Sequence, residues 1–463
     1  MSESSTSAGL ADELRSLLGA LSPGDRLPSS RELVERFHVS PVTVSRAIAH
    51  LSAEGLVVTR PGSGTFAATP PRRPAEVADT GWQTVALTDR AVDTRAATDG
   101  LGPPPAEAIA LDGGYLHRSL QPTKALSAAL ARAARRPDAW DRAPTGGLES
   151  LRSLFARGTG ADVGAEDVLI TAGGQSGLSI AFRAIAGPGN PVLMESPTYP
   201  GALSAARAAG LRPVPVPMDG DGIRPDLLAD AFAMTGARLL YCQPTHHNPT
   251  GTVLAARRRA QVVAVARAAG AFIVEDDFAR HLGHGQAPPR PLLAEDRDGT
   301  VVHLTSLTKP AAPSLRIGAL VARGPVLERM RAVRYVDDFF VPRPMQEAAL
   351  ELLGSPGWER HLRALSAELH TRCRALADAL ARHHPAWTVA RVPSGGLHLW
   401  VELPSGSDDT DHAVRARRAG VAVGAGRRFF PAEPPGAFLR LAFAATARAA
   451  DLAEGVRLLR DPR

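Results

Sequence analysis

Apolar residues keep two rhythms along this chain, and the change between them divides it. Up to about residue 55 they recur at helical spacing: Leu10 to Leu18 first, then Leu33, Val34 and Phe37, then Val44, Ile48 and Leu51. The second stretch begins with a Ser-x-x-Glu capping box at Ser29 and Glu32. The third has Ser40 as N-cap and Pro41 at the first helical position, and runs to Gly55. His38 and Val39 leave room only for a short turn between the two. Two short helices across a tight turn, the second exposing Thr43, Ser45 and Arg46, predict a helix-turn-helix. LVVTRPGSGTFA then reads as two short apolar strands around a Gly-rich turn, a wing.

From Ala67 to about Pro105 the periodicity fades. AATPPRRPAEVADTGWQTV and DGLGPPPAEA predict a semi-extended spacer with Arg72 and Arg73 exposed. Beyond residue 106 the short runs VLITAGG, PVLMESP, RPVPVPM, ARLLYCQP, AFIVEDD and VVHLTS alternate with Ala/Leu/Arg-rich helical stretches. Strands alternating with helices predict an α/β fold, a mostly parallel sheet with helices on both faces. Ligands in such folds bind beyond the carboxyl ends of the strands, so the residues that follow each run are the candidates.

Those residues carry chemistry. After VLI comes Thr171-Ala-Gly173-Gly174-Gln175-Ser176, a Gly-rich turn opening a helix, whose free N–H groups suit a phosphate. After LLYCQP comes Thr245-His-His-Asn248-Pro-Thr-Gly251. After FIV come Glu275, Asp276 and Asp277; a strand-end carboxylate is suited to a protonated pyridine nitrogen. Two adjacent acids also fit a helix N-terminus or a solvated loop, a reading that suits Asp277 better than Asp276. After VVHLTS comes Lys309. It and Lys124 are the only lysines among 53 basic residues. Lysine, unlike arginine, can lose its proton and form an imine. With Ser306 before it and Arg316 after it, the turn suits an aldehyde that carries a phosphate; a surface lysine on a strand-to-loop turn is the plain alternative.

Totals add bounds. A chain of 463 residues needs at least two domains. It has no apolar run long enough to span a membrane, and its polar, acidic N-terminus is unlike a signal peptide. Cys242 and Cys373 have neither disulfide-framework nor metal-ligand spacing, so the expectations are a cytoplasmic setting and no metal. Net charge +6 permits nucleic acid, yet residues 1–66 hold six arginines against seven acids. Any phosphate footprint there is local.

GDRLPSSREL, VSPVTVSRAIAHLSAEGL and RPGSGTF resemble the winged helix-turn-helix of the GntR family. The resemblance implies contact with double-stranded DNA through Arg31, Thr43, Ser45, Arg46, Arg60 and Gly62. Pro41 stands where that family usually has arginine, which removes one groove contact. Residues 106–460 resemble fold-type I pyridoxal-phosphate enzymes of the aminotransferase class. The resemblance implies Lys309 as the Schiff-base lysine, Asp276 at the pyridine nitrogen and Asn248 at the phenolic oxygen. It further implies Tyr199 stacked on the ring, Gly174, Gln175, Ser306 and Arg316 around the phosphate, and Arg440 of FLRLAFA on a substrate or effector carboxylate. Two departures stand out: Phe278 replaces a tyrosine that donates to the phenolic oxygen, and the segment before Gly146 lacks a tyrosine that reaches the neighbouring subunit.

Together the two parts resemble the MocR subfamily of bacterial regulators. This implies a winged domain (1–66), a linker (67–105) and a cofactor-binding domain (106–463, large part to about 340, small part beyond). It also implies a homodimer and a large domain that senses pyridoxal phosphate, or an amine or amino acid captured on it. A working aminotransferase carrying a DNA-binding domain, or a regulator using the large domain only as a dimer scaffold, are the alternatives.

Overall fold

The computed structural model describes residues 3–60, 62–68, 80–87 and 108–459. It falls into two units, Met1–Arg90 and Ala91–Arg463.

The first unit forms as its apolar spacing predicts. α1 (Glu3–Leu18), α2 (Ser30–Phe37) and α3 (Pro41–Ala53) turn their stripes inward, burying Leu10, Leu14, Leu33, Val44 and Leu51 together. The capping box is reciprocal: Ser29 Oγ accepts from Glu32 N–H at 3.3 Å and Glu32 Oε2 accepts from Ser29 N–H at 2.7 Å. Ser40 Oγ accepts from Thr43 N–H at 3.1 Å. α3 stops at Ala53, two residues short of expectation, because Gly55, at φ +71°, already carries the turn into the wing. The wing is the antiparallel pair β1 (Val57–Arg60) and β2 (Gly64–Ala67).

The spacer is not wholly extended, since Gly81–Ala86 is helical. Its prolines cluster at 70–74 and 103–105, which leaves every amide in this stretch able to bond. Arg72 and Arg73 lie outside the described residues.

The second unit opens with β3 (Ile109–Leu111) and builds its main sheet from eight strands: β4 (Val168–Thr171), β5 (Pro191–Ser196), β6 (Arg212–Asp219), β7 (Gly222–Ile223), β8 (Leu239–Cys242), β9 (Phe272–Asp276), β10 (Val301–Ser306) and β11 (Gly318–Val321). Their order is β4-β11-β10-β9-β8-β5-β6-β7, and β10, β9, β8, β5 and β6 run parallel. Helices cover both faces, so the central strands are buried throughout and read as unbroken apolar runs. β7 and β11 are the strands of this sheet that the pattern of runs does not mark off, and β11 is the one that shapes the site. β11 turns back antiparallel between β10 and β4, which brings the carboxyl ends of β4, β9 and β10 to one edge.

A second sheet contains β12 (Thr388–Val389), β13 (His398–Glu402), β14 (Val421–Ala425) and β15 (Phe438–Ala442), in the order β12-β13-β15-β14-β3. Strand alternation sorts its side chains. Leu399, Val401, Leu439 and Leu441 pack against the helices Pro356–His383 and Ala450–Leu458. His398, Trp400 and Arg440 take the other parity, with Trp400 paired to Arg440. β3, grouped with the large part on sequence, is the edge strand of this sheet, because its partner β14 comes from the far end of the chain. Among the described residues no helix is long and apolar enough to cross a membrane.

Candidate ligand site at the strand ends

The ends of β4, β5, β8, β9 and β10 in the main sheet each deliver expected groups. Asp276 ends β9 and is buried. Its Oδ2 accepts from Tyr241 Oη at 2.8 Å and from Gln243 Nε2 at 2.9 Å. Burial raises its carboxyl above the usual carboxylate range, an effect those two hydrogen bonds offset only in part. Gln243 also takes the Asn248 N–H at 3.1 Å on its Oε1, so one side chain joins the acid to the HNPTG turn.

Beyond β10, Ser306 Oγ lies 2.7 Å from Thr308 Oγ1 and accepts from Thr308 N–H at 3.1 Å, which shapes the turn that presents Lys309. Lys309 Nζ donates to Gly114 O at 2.7 Å and sits 3.9 Å from the centroid of the Tyr115 ring. Burial first, then the positive charge of Arg440, lower its pKa from 10.5 to about 7. A large fraction of this lysine is therefore a free amine near neutrality.

Ahead of β11, Arg316 adopts φ +50° and donates to Ala172 O at 2.6 Å. Its guanidinium lies against Gly173, the N-cap of the helix Gly174–Ile185: a Cβ there would stand 2.8 Å from Nη2. Gly173 also has φ +84°, so the close approach requires glycine twice over. Gly174 faces Ser306, its Cβ position 3.8 Å from the Ser306 Cβ. After β5, Tyr199 donates from Oη to Gln175 Oε1 at 3.3 Å, and burial pushes its phenol up to about 12.

Arg440 reaches the same place from the second sheet. It donates to Asn248 Oδ1 at 3.3 Å and to Asp112 O at 2.5 Å, and stacks 5.0 Å from the centroid of Phe429. Its Nε is buried with no protein partner. Burial and the charge of Arg428 lower its pKa to about 10. All nine residues expected at the site, Lys309, Asp276, Asn248, Tyr199, Gly174, Gln175, Ser306, Arg316 and Arg440, thus belong to strands, turns and one helix N-terminus that meet at this edge.

Asp277 is a correction. It is neither solvated nor at a helix start: it is buried, ion-paired with Arg280, and 4.0 Å from His303 Nε2. Successive residues of a strand point to opposite faces, so Asp276 and Asp277 meet different surroundings. Phe278 packs against the core of the second sheet. Residues that the motifs did not mark are Tyr241, Gln243, Tyr115 and His398. Only His398 left a legible signal, a polar residue at an alternating position of HLWVE.

The set fits pyridoxal phosphate. A helix N-terminus, Ser306 and Arg316 surround space for a phosphate, Asp276 offers a carboxylate, and Lys309 offers an amine.

In the first unit, Arg31 opens α2 and is 91% exposed, touching Glu35 at 3.3 Å. Ser45 and Arg46 are exposed on α3, and Thr43 is half-buried with its hydroxyl 2.8 Å from Ser40 Oγ. Arg60 is exposed at the end of β1, its guanidinium 4.9 Å from the Phe66 ring centroid. Gly62, at φ +74°, forms the open tip of the wing.

Residues 113–459 match the family model for aminotransferase class I and II, and residues 6–67 match that for bacterial regulatory proteins, gntR family. The chain is 30% identical to the HTH-type transcriptional regulator TauR of Rhodobacter capsulatus over 95% of this chain and 92% of that one. It is 33% identical to a 2-aminoadipate transaminase of Thermus thermophilus over 76% of this chain and 89% of that one. The solved structure of the alpha-aminoadipate aminotransferase LysN from Thermus thermophilus, complexed with N-(5'-phosphopyridoxyl)-L-leucine, matches with a TM-score of 0.73 at 30% identity. It covers 79% of this chain and 95% of that one.

Proposed function

Since the chain belongs to the aminotransferase class I and II family, joined in the MocR arrangement to a gntR-family DNA-binding domain, we propose that its second unit binds pyridoxal phosphate at Lys309 and serves as the sensor of a transcriptional regulator. The observation that carries this reading is the buried Lys309, with a pKa of about 7, among Asp276, Arg316 and Arg440 in a chain that begins with a winged helix. When bound, pyridoxal phosphate supplies an aldehyde that captures primary amines and a pyridinium that draws electrons from the captured carbon.

The chain's residues do the rest. Lys309 would supply the amine that meets the aldehyde. Asp276, held by Tyr241 and Gln243, would accept from the pyridinium N–H. Asn248 and Tyr199 would hold the ring, and Gly174, Gln175, Ser306 and Arg316 the phosphate. Arg440 would take the carboxylate of an amino-acid effector. Phe278 offers no hydroxyl to the ring oxygen, which favours sensing over turnover.

Arg31, Thr43, Ser45, Arg46, Arg60 and Gly62 form the DNA contact of this reading, with two chains of a homodimer reading two half-sites.

Ligand and DNA are coupled only if the ligand binds two arrangements of the protein unequally. The test is a visible spectrum and a DNA titration, each with and without pyridoxal phosphate, on wild type and Lys309→Ala. A yellow band and a cofactor-dependent DNA affinity in the wild type alone are expected. DNA affinity indifferent to the cofactor in both proteins would sink the sensor, and steady keto-acid production from an amino donor would make the protein an enzyme.

A further inference from the structure

Helix-turn-helix proteins set the N-terminal residues of their second helix against base edges in the major groove. In this chain that end of α3 is apolar. Pro41 and Val42 are both exposed, and neither side chain has a hydrogen-bond donor or acceptor. Pro41 lacks an amide hydrogen as well. Thr43, next in line, is half-buried, and its hydroxyl lies 2.8 Å from the capping Ser40 Oγ. At 59% exposed, Val42 is the most exposed large apolar side chain described in residues 3–68.

Neither packing nor helix formation accounts for Val42. α3 turns Val44, Ala47 and Leu51 into the core. Val42, Ser45, Arg46 and Ala49 recur at i, i+3, i+4 and i+7, which gathers them on the opposite, exposed face. Valine is also a poorer helix former than alanine, because its branched Cβ is held to one rotamer. That stiffness fixes the direction of its two methyl groups. The face suits a polyanion: the 13 residues of α3 include no acid, and Arg46 stands one turn beyond Val42.

We propose that Val42 reads the C5-methyl group of a pyrimidine, so that each half-site carries a 5-methylpyrimidine under the start of α3. This rests on the reading above, in which α3 contacts DNA. The base edges of the major groove display donors and acceptors, and their one apolar feature is the thymine methyl, which 5-methylcytosine shares. A side chain without polar atoms that covers a donor or acceptor leaves it unsatisfied, at a cost. Against a methyl group it buries apolar surface on both sides and leaves nothing unpaired. Proline in place of arginine at position 41 acts in the same direction, since the commonest base partner of arginine is guanine.

Selection from a random duplex pool with the full chain supplies the probe, a preferred duplex. Replacing its thymines by uracil, one at a time, removes a methyl group and no hydrogen bond. One position per half-site should weaken wild-type binding about fourfold, the effect of one buried methyl group. Val42→Ala, at an exposed helix position, keeps the fold and should lose most of that discrimination. At the same position a 5-methylcytosine–guanine pair should bind about fourfold tighter than cytosine–guanine. Its affinity beside that of thymine–adenine tells which of the two bases the site prefers.

Affinity indifferent to every uracil overturns the methyl contact and leaves DNA binding standing. So does a uracil effect that persists in full in Val42→Ala, or 5-methylcytosine binding no better than cytosine. Binding with no sequence preference at all overturns the contact too. A chain that binds no duplex overturns both this inference and the DNA reading beneath it.

Discussion

Cations carry the assigned work in both units, under opposite physical conditions. In the winged unit Arg31, Arg46 and Arg60 stand exposed, and where one meets an acid, as Arg31 meets Glu35 at 3.3 Å, water screens the pair. Such exposed contacts are worth about 0–1 kcal/mol each, so they matter only when several act along one phosphate backbone. In the second unit Lys309 and Arg440 are buried, and burial lowers their pKa values to about 7 and about 10. A buried cation is costly to keep charged, which makes it selective for a partner and sensitive to pH. In the function proposed above, the same residue class would serve for diffuse attraction in one unit and for defined chemistry in the other.

The sharpest way to break that contrast is Lys309→Ala. It should abolish the yellow band formed with pyridoxal phosphate, and a spectrum showing the band intact would remove the lysine from the chemistry. Gly173→Ala comes next. The new methyl meets the Arg316 guanidinium in a backbone conformation with φ +84°, a strain of about 1–3 kcal/mol. The Kd for pyridoxal phosphate, read by titrating the band, should rise about tenfold or more. An unchanged Kd would mean the helix N-terminus holds no phosphate.

Acidity separates the two units as well. Only the free amine of Lys309 attacks an aldehyde, so the rate of band formation should fall about tenfold per pH unit below about 7. The stability term follows the same shift. Between about 7 and the ordinary 10.5 the unfolded chain holds this proton and the folded chain does not, so Lys309's contribution to stability rises with pH across that window. A rate independent of pH from about 5 to about 8 would contradict a buried, weakly basic lysine.

Smaller effects are expected on the winged side. Arg31→Ala and Arg60→Ala should each weaken DNA binding uniformly across sequences and lower the slope of log K against log salt by about 1. Neither should move the Lys309 titration. Loss at one base position only would show that the arginine reads sequence. Ser29→Ala removes one half of the capping box and should cost about 1 kcal/mol in thermal unfolding, with little change in the band.

Much of this molecule is written locally in its sequence. Caps, turn residues and apolar spacing depend on neighbours a few positions apart, so Ser29 with Glu32, Ser40 with Pro41, and the buried runs of the main sheet were all legible. So were the candidate side chains, because a parallel sheet places its functional groups at strand ends, and the ends are marked by Gly, Pro and acids. What the sequence did not determine depends on pairing between distant segments. β11 is a short run that becomes a strand only between β10 and β4. β3 finds its partner in β14 near the other end of the chain. Asp276 and Asp277 are adjacent in sequence, yet only the packing of the sheet's two faces gives one to the ligand site and ties the other to Arg280. The meeting of Lys309, His398 and Arg440 over residues 112–114 is of the same kind. No local rule brings a carbonyl to a side chain hundreds of residues away; closing the second sheet against the first does.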